Sequence, residues 1–233
     1  MHGVSMLSAE EIQVLATSFA VAWRAVVWTL PFAIAAAYAL SRPQFPGKSV
    51  LDALVHLPLL LPPVLTGFFL LLILGRRGPI GSFLDQAFNI RLAFTMEAAA
   101  IATAVMTFPL MVRSIRLAFE ATDARLLEAA AMLRAGPWDR FLSVALPLAW
   151  PGILAGAVTA FAAGLGEFGA VITFAANVPG QTQTLPLAIY SALQLPGGEE
   201  KAMRLAALSL ILAIAGLAAG EALQQWRRRR LET

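Results

Sequence analysis

Residues 126–147 read LLEAAAMLRAGPWDRFLSVALP, a charged interlude between runs apolar enough for lipid. Asp123 stands where a cap would, because its carboxylate can accept bonds from the free N–H groups of a first helical turn. The helix it opens carries Glu128, Ala129, Ala130 and Ala131. Ala135-Gly136-Pro137 then breaks that helix, since glycine permits positive φ and proline cannot continue the hydrogen-bond ladder. Trp138, Phe141 and Leu142 follow on a second, amphipathic turn, and Leu146-Pro147 opens the next apolar run. The stretch predicts a compact, rigid, two-part projection with an apolar face and Gly136 as its joint. Such a surface calls for a protein partner.

The flanks decide where the projection stands. Of 233 residues, 59% are hydrophobic and 13% charged, against about 25% charged in ordinary soluble domains. That balance predicts an all-α, polytopic membrane helix bundle, with 1–233 as one transmembrane domain and no room for a soluble catalytic one. The chain has no Cys, and His2 and His56 are too few and too far apart for a metal site. A formal charge of +3 carried largely by Arg bordering apolar runs points to orientation in a membrane instead of nucleic acid.

Five spans are predicted, over 12–40, 53–75, 92–112, 147–166 and 205–226. Pro58, Pro62 and Pro63 predict a kink in the second. An odd number of crossings puts the termini on opposite sides. With the C-terminus inside, the cytoplasmic segments hold Arg42, Lys48, Arg113, Arg116, Arg125, Arg134, Arg140 and Arg227 to Arg230, while Arg76, Arg77, Arg91, Lys201 and Arg204 lie outside. The stretch at 119–146 is then a cytoplasmic loop. Nothing before Ile12 resembles a basic, cleavable signal, so the first helix is expected to remain. The uncharged stretch at 168–198 is broken by Asn177, Pro179, Gly180, Pro186, Pro196, Gly197 and Gly198. It fits no simple span, and a short helix over 187–195 is expected at the outer face or dipping back in.

The pattern EAAAMLRAGPWDRFLSVALP resembles the EAA loop of bacterial ABC importer permeases, joining Glu-Ala-Ala, a Gly eight residues after the Glu, and Leu-Pro at the next span. The stretches FPGKSVLDALVHLPLLLPPVLTGFFLL, GRRGPIG, FPLMVRSIRLAFE, GLGEFGAVITFAANVPGQTQTLP and PGGE, within 45–199, are similar to the molybdate permease branch, with sulfate permeases as near relatives. The resemblance implies a type I importer fold in the bacterial cytoplasmic (inner) membrane. It implies a second copy of the chain, two ATP-binding cassette ATPases, and an extracytoplasmic oxyanion-binding protein. It also implies that Glu128, Ala129, Ala130, Gly136, Trp138, Phe141 and Pro147 form the ATPase-coupling surface. Consistent with this, the chain has no Gly-x-x-x-x-Gly-Lys-Ser/Thr loop, so ATP and Mg are expected on the partner ATPase.

Individual residues carry weaker expectations. Trp138 and Phe141 equally suit an anchoring position at the headgroups. Glu167 within or near lipid is costly, and bonding of the broken Gly164 to Gly169 backbone competes with a gate role. A divalent anion needs a path that lets it leave, which favours neutral polar groups over a cationic cage. Thr66, Thr103, Thr107, Thr159 and Thr173 are the candidates, although each hydroxyl could instead bond its own helix. Arg24 and His56 read as snorkelling and satisfied polar groups. A secondary transporter or channel lacks the expected repeats or mid-membrane acids, and an intramembrane enzyme lacks a nucleophile with a base.

Overall fold

The computed structural model describes residues 8–42 and 45–231, with the side chains of 217 and 219–231 excepted. Expectations resting on His2, Pro43, Thr233 or the side chains of Arg227 to Arg230 lie outside the described residues. All regular structure described is helical.

α1 (Ala9–Ser41) starts a turn before the predicted apolar run, because Ser8 and Glu11 form a reciprocal capping box. Ser8 Oγ accepts from the Glu11 N–H at 3.2 Å, and Glu11 Oε2 accepts from the Ser8 N–H at 2.8 Å. The second predicted span is two helices, α2 (Lys48–Leu60) and α3 (Pro63–Leu74), bent by 114°. A simple kink was expected; Pro62 and Pro63 together remove two donors from the ladder, so the helices separate fully. α4 (Pro79–Phe88) is a short helix closed by Asn89 in the left-handed region.

α5 (Met96–Glu120) begins later than predicted, where Thr95 Oγ1 accepts from the Ala98 N–H, and runs past Arg113 and Arg116. Arg116 earns that extension by pairing with Asp52 of α2 at 3.1 Å and Glu120 at 2.7 Å. α6 (Ala124–Met132) and α7 (Pro137–Arg140) form the projection. α7 then continues through a π-helical turn (Phe141–Ala145) into α8 (Leu146–Leu165), making one helix from Pro137. The fourth predicted span therefore starts ten residues before Pro147. Pro147 has no N–H for Ser143, and the π turn absorbs the lost bond by sending the Leu146 N–H to the Phe141 carbonyl.

α9 (Gly169–Ala175), α10 (Leu185–Leu193) and α11 (Glu199–Leu231) complete the chain. Three described helices are long and apolar enough to cross a membrane, α1, α5 and α7 to α8, and the bent α2–α3 pair makes a fourth. α11 follows the fifth predicted run in backbone.

The core interleaves alanines with large apolar side chains, the alanines letting the helices approach closely. Ala33, Ala37, Met111, Ile115, Ala149 and Ile153 bring α1, α5 and α8 together. A second cluster packs Val21, Ala98 and Ala102 against Ala170, Val171 and Phe174 of α9. The two broken segments meet there. A Cβ on Gly169 would stand 2.7 Å from Pro63 Cβ, and one on Gly67 would stand 2.6 Å from the Ala170 carbonyl. The bend of α2–α3 is thus fixed by contact with the break between α8 and α9.

Candidate functional site

The projection is held by its aromatic root. Phe141 is half-buried, with its ring centroid 4.5 Å from Tyr38 of α1 and 6.4 Å from Phe119 of α5. Trp138, 6.0 Å from Phe141, is 76% exposed. The two aromatics therefore divide: Phe141 locks α7 to the bundle, and Trp138 is left on the surface. On α6, Glu128 and Ala129 are exposed and Ala130 is half-buried, while Met132 and Leu133 are more than four-fifths exposed and Leu126 about half. Asp123 caps α6 through the Arg125 N–H at 2.9 Å. Sequence reasoning found this apolar face in general but not Met132 and Leu133, whose signal is two consecutive large apolar residues at a helix end.

The joint lies elsewhere than expected. Gly136 has φ −68° and ψ 167°, ordinary extended backbone, and a Cβ there would meet nothing within 4 Å. Arg134 carries the left-handed conformation at φ 62°. Its N–H donates to the Ala131 carbonyl at 3.0 Å and the Ala135 N–H donates to the Ala130 carbonyl at 3.1 Å, the paired bonds of a Schellman cap. Glycine usually takes that position, so the sequence pointed two residues too far along. Pro137 starts α7, and Pro147 sits exposed at the second position of α8.

The threonines separate into two kinds. Thr107, Thr159 and Thr173 donate to the carbonyls of Thr103, Ala155 and Gly169, each four residues back. Their hydroxyls are committed to their own helices. Thr66 and Thr103 are buried with hydroxyl oxygens that have no hydrogen-bond partner. Thr66 and Thr173 flank the α3–α9 contact at Gly67; Thr103 lies against Gly164 of α8, and Thr159 is exposed. Glu167 Oε1 accepts from the Ala170 N–H at 3.0 Å, bonding the first turn of α9. His56 Nδ1 lies 2.9 Å from the Asp52 carbonyl, and Arg24 reaches Met96 Sδ. Among the described residues no group of three or more His, Cys, Asp and Glu could hold a metal.

At the other end, a charged clasp escaped sequence reasoning. Arg204 pairs with Glu11 at 2.9 Å and Lys201 with Glu10 at 2.7 Å, joining α11 to the start of α1. Glu11 is 3% exposed and Arg204 42%. The partners are about 190 residues apart, and no local pattern announces such a pair.

The described residues thus form a bundle of helices, three or four of them long and apolar enough to cross a membrane, with a capped, apolar-faced projection. Residues 29–232 match the family of binding-protein-dependent transport system inner membrane components, and the chain belongs to it. The chain is 49% identical over 225 residues to the molybdenum transport system permease protein ModB of Escherichia coli K12, covering 97% of this chain and 98% of that one. The ModB protein of Haemophilus influenzae is 45% identical, with 95% of each chain covered. The sulfate transport system permease protein CysW of Synechococcus elongatus is 36% identical over 77% of this chain and 64% of its own. In fold, a crystallised bacterial alginate ABC transporter with its alginate-bound periplasmic protein matches with a TM-score of 0.71 at 17% identity, covering 97% of this chain and 81% of that one.

Proposed function

We propose that this chain is the transmembrane permease subunit of an ATP-driven importer whose cargo is molybdate. The cargo rests on near full-length likeness to molybdenum permeases at 49% identity. The coupling role rests on one observation above others: Leu126, Met132 and Leu133 stand exposed on a projection whose root is locked into the bundle by Phe141. Large apolar side chains held outward by a rigid base are complementary to an apolar cleft in a partner. Here the partner is an ATPase, two copies of which sit beneath two copies of this chain in the cytoplasmic membrane, with an external binding protein delivering the anion.

The cycle follows from linkage. ATP closes the ATPase pair, which draws the two docked projections together, and the bundle whose projections are closer gains from that contact. Phe141 transmits the displacement, because its stacking on Tyr38 and Phe119 couples α7 to α1 and α5. The π turn at Phe141–Ala145 carries the helix on from the projection into α8 without a break. Five spans, an external N-terminus and a cytoplasmic C-terminus complete the proposal.

The test is competitive uptake of labelled molybdate with tungstate and sulfate in proteoliposomes holding the chain, its ATPase and its binding protein, alongside Glu128→Lys and a Met132→Ser/Leu133→Ser pair. Molybdate uptake resisting excess sulfate is expected. The variants should insert normally and lose uptake through weaker ATPase co-purification or uncoupled hydrolysis. Sulfate competing as well as molybdate would reassign the cargo, and variants with full coupling would remove the projection from the mechanism.

A further inference from the structure

An apolar cleft of about 520 Å³ opens between α1 and the root of the projection. Pro31, Ile34 and Tyr38 form one wall, and Trp138, Phe141 and Leu146 the other. It runs along α1 to Arg42. From Pro31 to Arg42 an α-helix rises about 16 Å, close to half of the roughly 30 Å hydrocarbon thickness of a bilayer. The volume lies within the range of small-ligand sites, about 300–1,000 Å³.

The polar end of the cleft is cationic. Arg42 stacks over the Tyr38 ring at 4.5 Å and donates to its hydroxyl, so the guanidinium is held in place. Lys48 Nζ donates to the Arg42 carbonyl at 2.7 Å, bringing a second charge to the same end. Neither cation has a carboxylate partner among the described residues. Several carbonyls at the end of α1 that would repel an anion already hold donors: Ser41 Oγ donates to the Tyr38 carbonyl, the Arg42 N–H to that of Ala39, and Lys48 to that of Arg42.

An apolar slot one leaflet deep, with aromatics near its mouth and two fixed cations at its end, matches an amphiphile. We infer that this cleft binds an anionic phospholipid of the cytoplasmic leaflet, its phosphate on Arg42 and Lys48 and one acyl chain lying along Pro31, Ile34, Ala35 and Leu146, beside the Tyr38–Phe141 contact. A protein segment would need acidic and apolar groups arranged in the same order, whereas a lipid carries both by construction and is present at every moment. The bound lipid touches α1 and the projection together, so it becomes part of the joint. The inference rests on the membrane and topology reading above.

The experiment uses the full chain in phosphatidylcholine vesicles, with Trp23, Trp28, Trp150 and Trp226 replaced by Phe so that Trp138 alone reports. Phosphatidylglycerol or phosphatidylcholine brominated on one acyl chain is doped in as quencher. A second chain keeping only Trp28 reports insertion itself. Brominated phosphatidylglycerol should quench Trp138 at far lower mole fraction than brominated phosphatidylcholine. Arg42→Gln and Lys48→Gln should each reduce that preference about fivefold, and Ala39→Phe, which fills the cleft with a ring, should lower quenching by both lipids. Equal quenching of Trp138 by the two lipids, or quenching of Trp28 with none of Trp138, would overturn the lipid site. An unquenched Trp28 would overturn the membrane reading itself.

Discussion

Gly67→Ala tests the meeting of the two broken segments. Its added methyl would stand 2.6 Å from the Ala170 carbonyl oxygen, 2.8 Å from Thr173 Cβ and 2.9 Å from Ala170 Cα, where ordinary contact begins near 3.4 Å. Two of those three atoms are backbone, so no rotamer change relieves the clash and α9 must move as a body. Overpacking of this kind costs about 1–3 kcal/mol. With contacts under 3 Å to backbone the cost falls in the upper half of that range, about 2–3 kcal/mol, and alanine returns about 1 kcal/mol of helix propensity, leaving a net loss near 1–2 kcal/mol. For a chain of this size the apparent unfolding midpoint in detergent should fall by roughly 2–8 °C. The matched control is Gly136→Ala, where a Cβ meets nothing within 4 Å and φ is −68°, so the midpoint should hold. Uptake should fall in Gly67→Ala while ATPase co-purification stays, because the projection lies on other helices. A midpoint at or above wild type for Gly67→Ala would refute the close approach of α3 and α9.

Arg134→Gly should raise the midpoint, since it removes about 1 kcal/mol of left-handed strain from the Schellman position without touching the exposed face; calorimetry of the purified chain checks it. Arg204→Leu should destabilise by about 1 kcal/mol, because the Arg204 side chain is 42% exposed and screened by solvent, and Glu11 keeps the Ser8 N–H. Adding Glu11→Gln, which removes the charge but keeps an acceptor for the Ser8 N–H, should recover part of that loss, read from the same melts. Thr103→Val should leave stability unchanged or better, since its buried hydroxyl has no partner, yet lower uptake if the hydroxyl meets the anion. A reporter fused after Thr233 should be cytoplasmic and a tag before Ile12 accessible from outside, by protease protection in intact cells.

The long apolar runs and the EAA-like stretch were legible because periodicity and composition are local properties. α1, α5 and α8 appeared close to their predicted places, and the short helix expected over 187–195 is α10 at Leu185–Leu193. Proline marked the break at Pro62-Pro63 but not its size, because proline only deletes bonds; the 114° angle comes from Gly67 and Gly169 meeting α9 and α3. Gly136 drew attention as a glycine, yet Arg134 took the unusual φ, since the Schellman bonds count from where α6 ends and not from the nearest glycine. Among the threonines, composition could not separate hydroxyls spent on their own helix from the free ones at Thr66 and Thr103.

The clasp between Glu11 and Arg204 also sets a clock. Its partners are 193 residues apart, and at about 5–20 residues per second that interval is roughly 10–40 s of synthesis. Until Arg204 emerges, the Glu11 carboxylate has only the Ser8 cap, and the ion pair that ties α11 to the head of α1 cannot form. Closure is therefore among the last events of assembly. A chain stalled before Glu199 would hold its first helix capped at Ser8 but untied from its last.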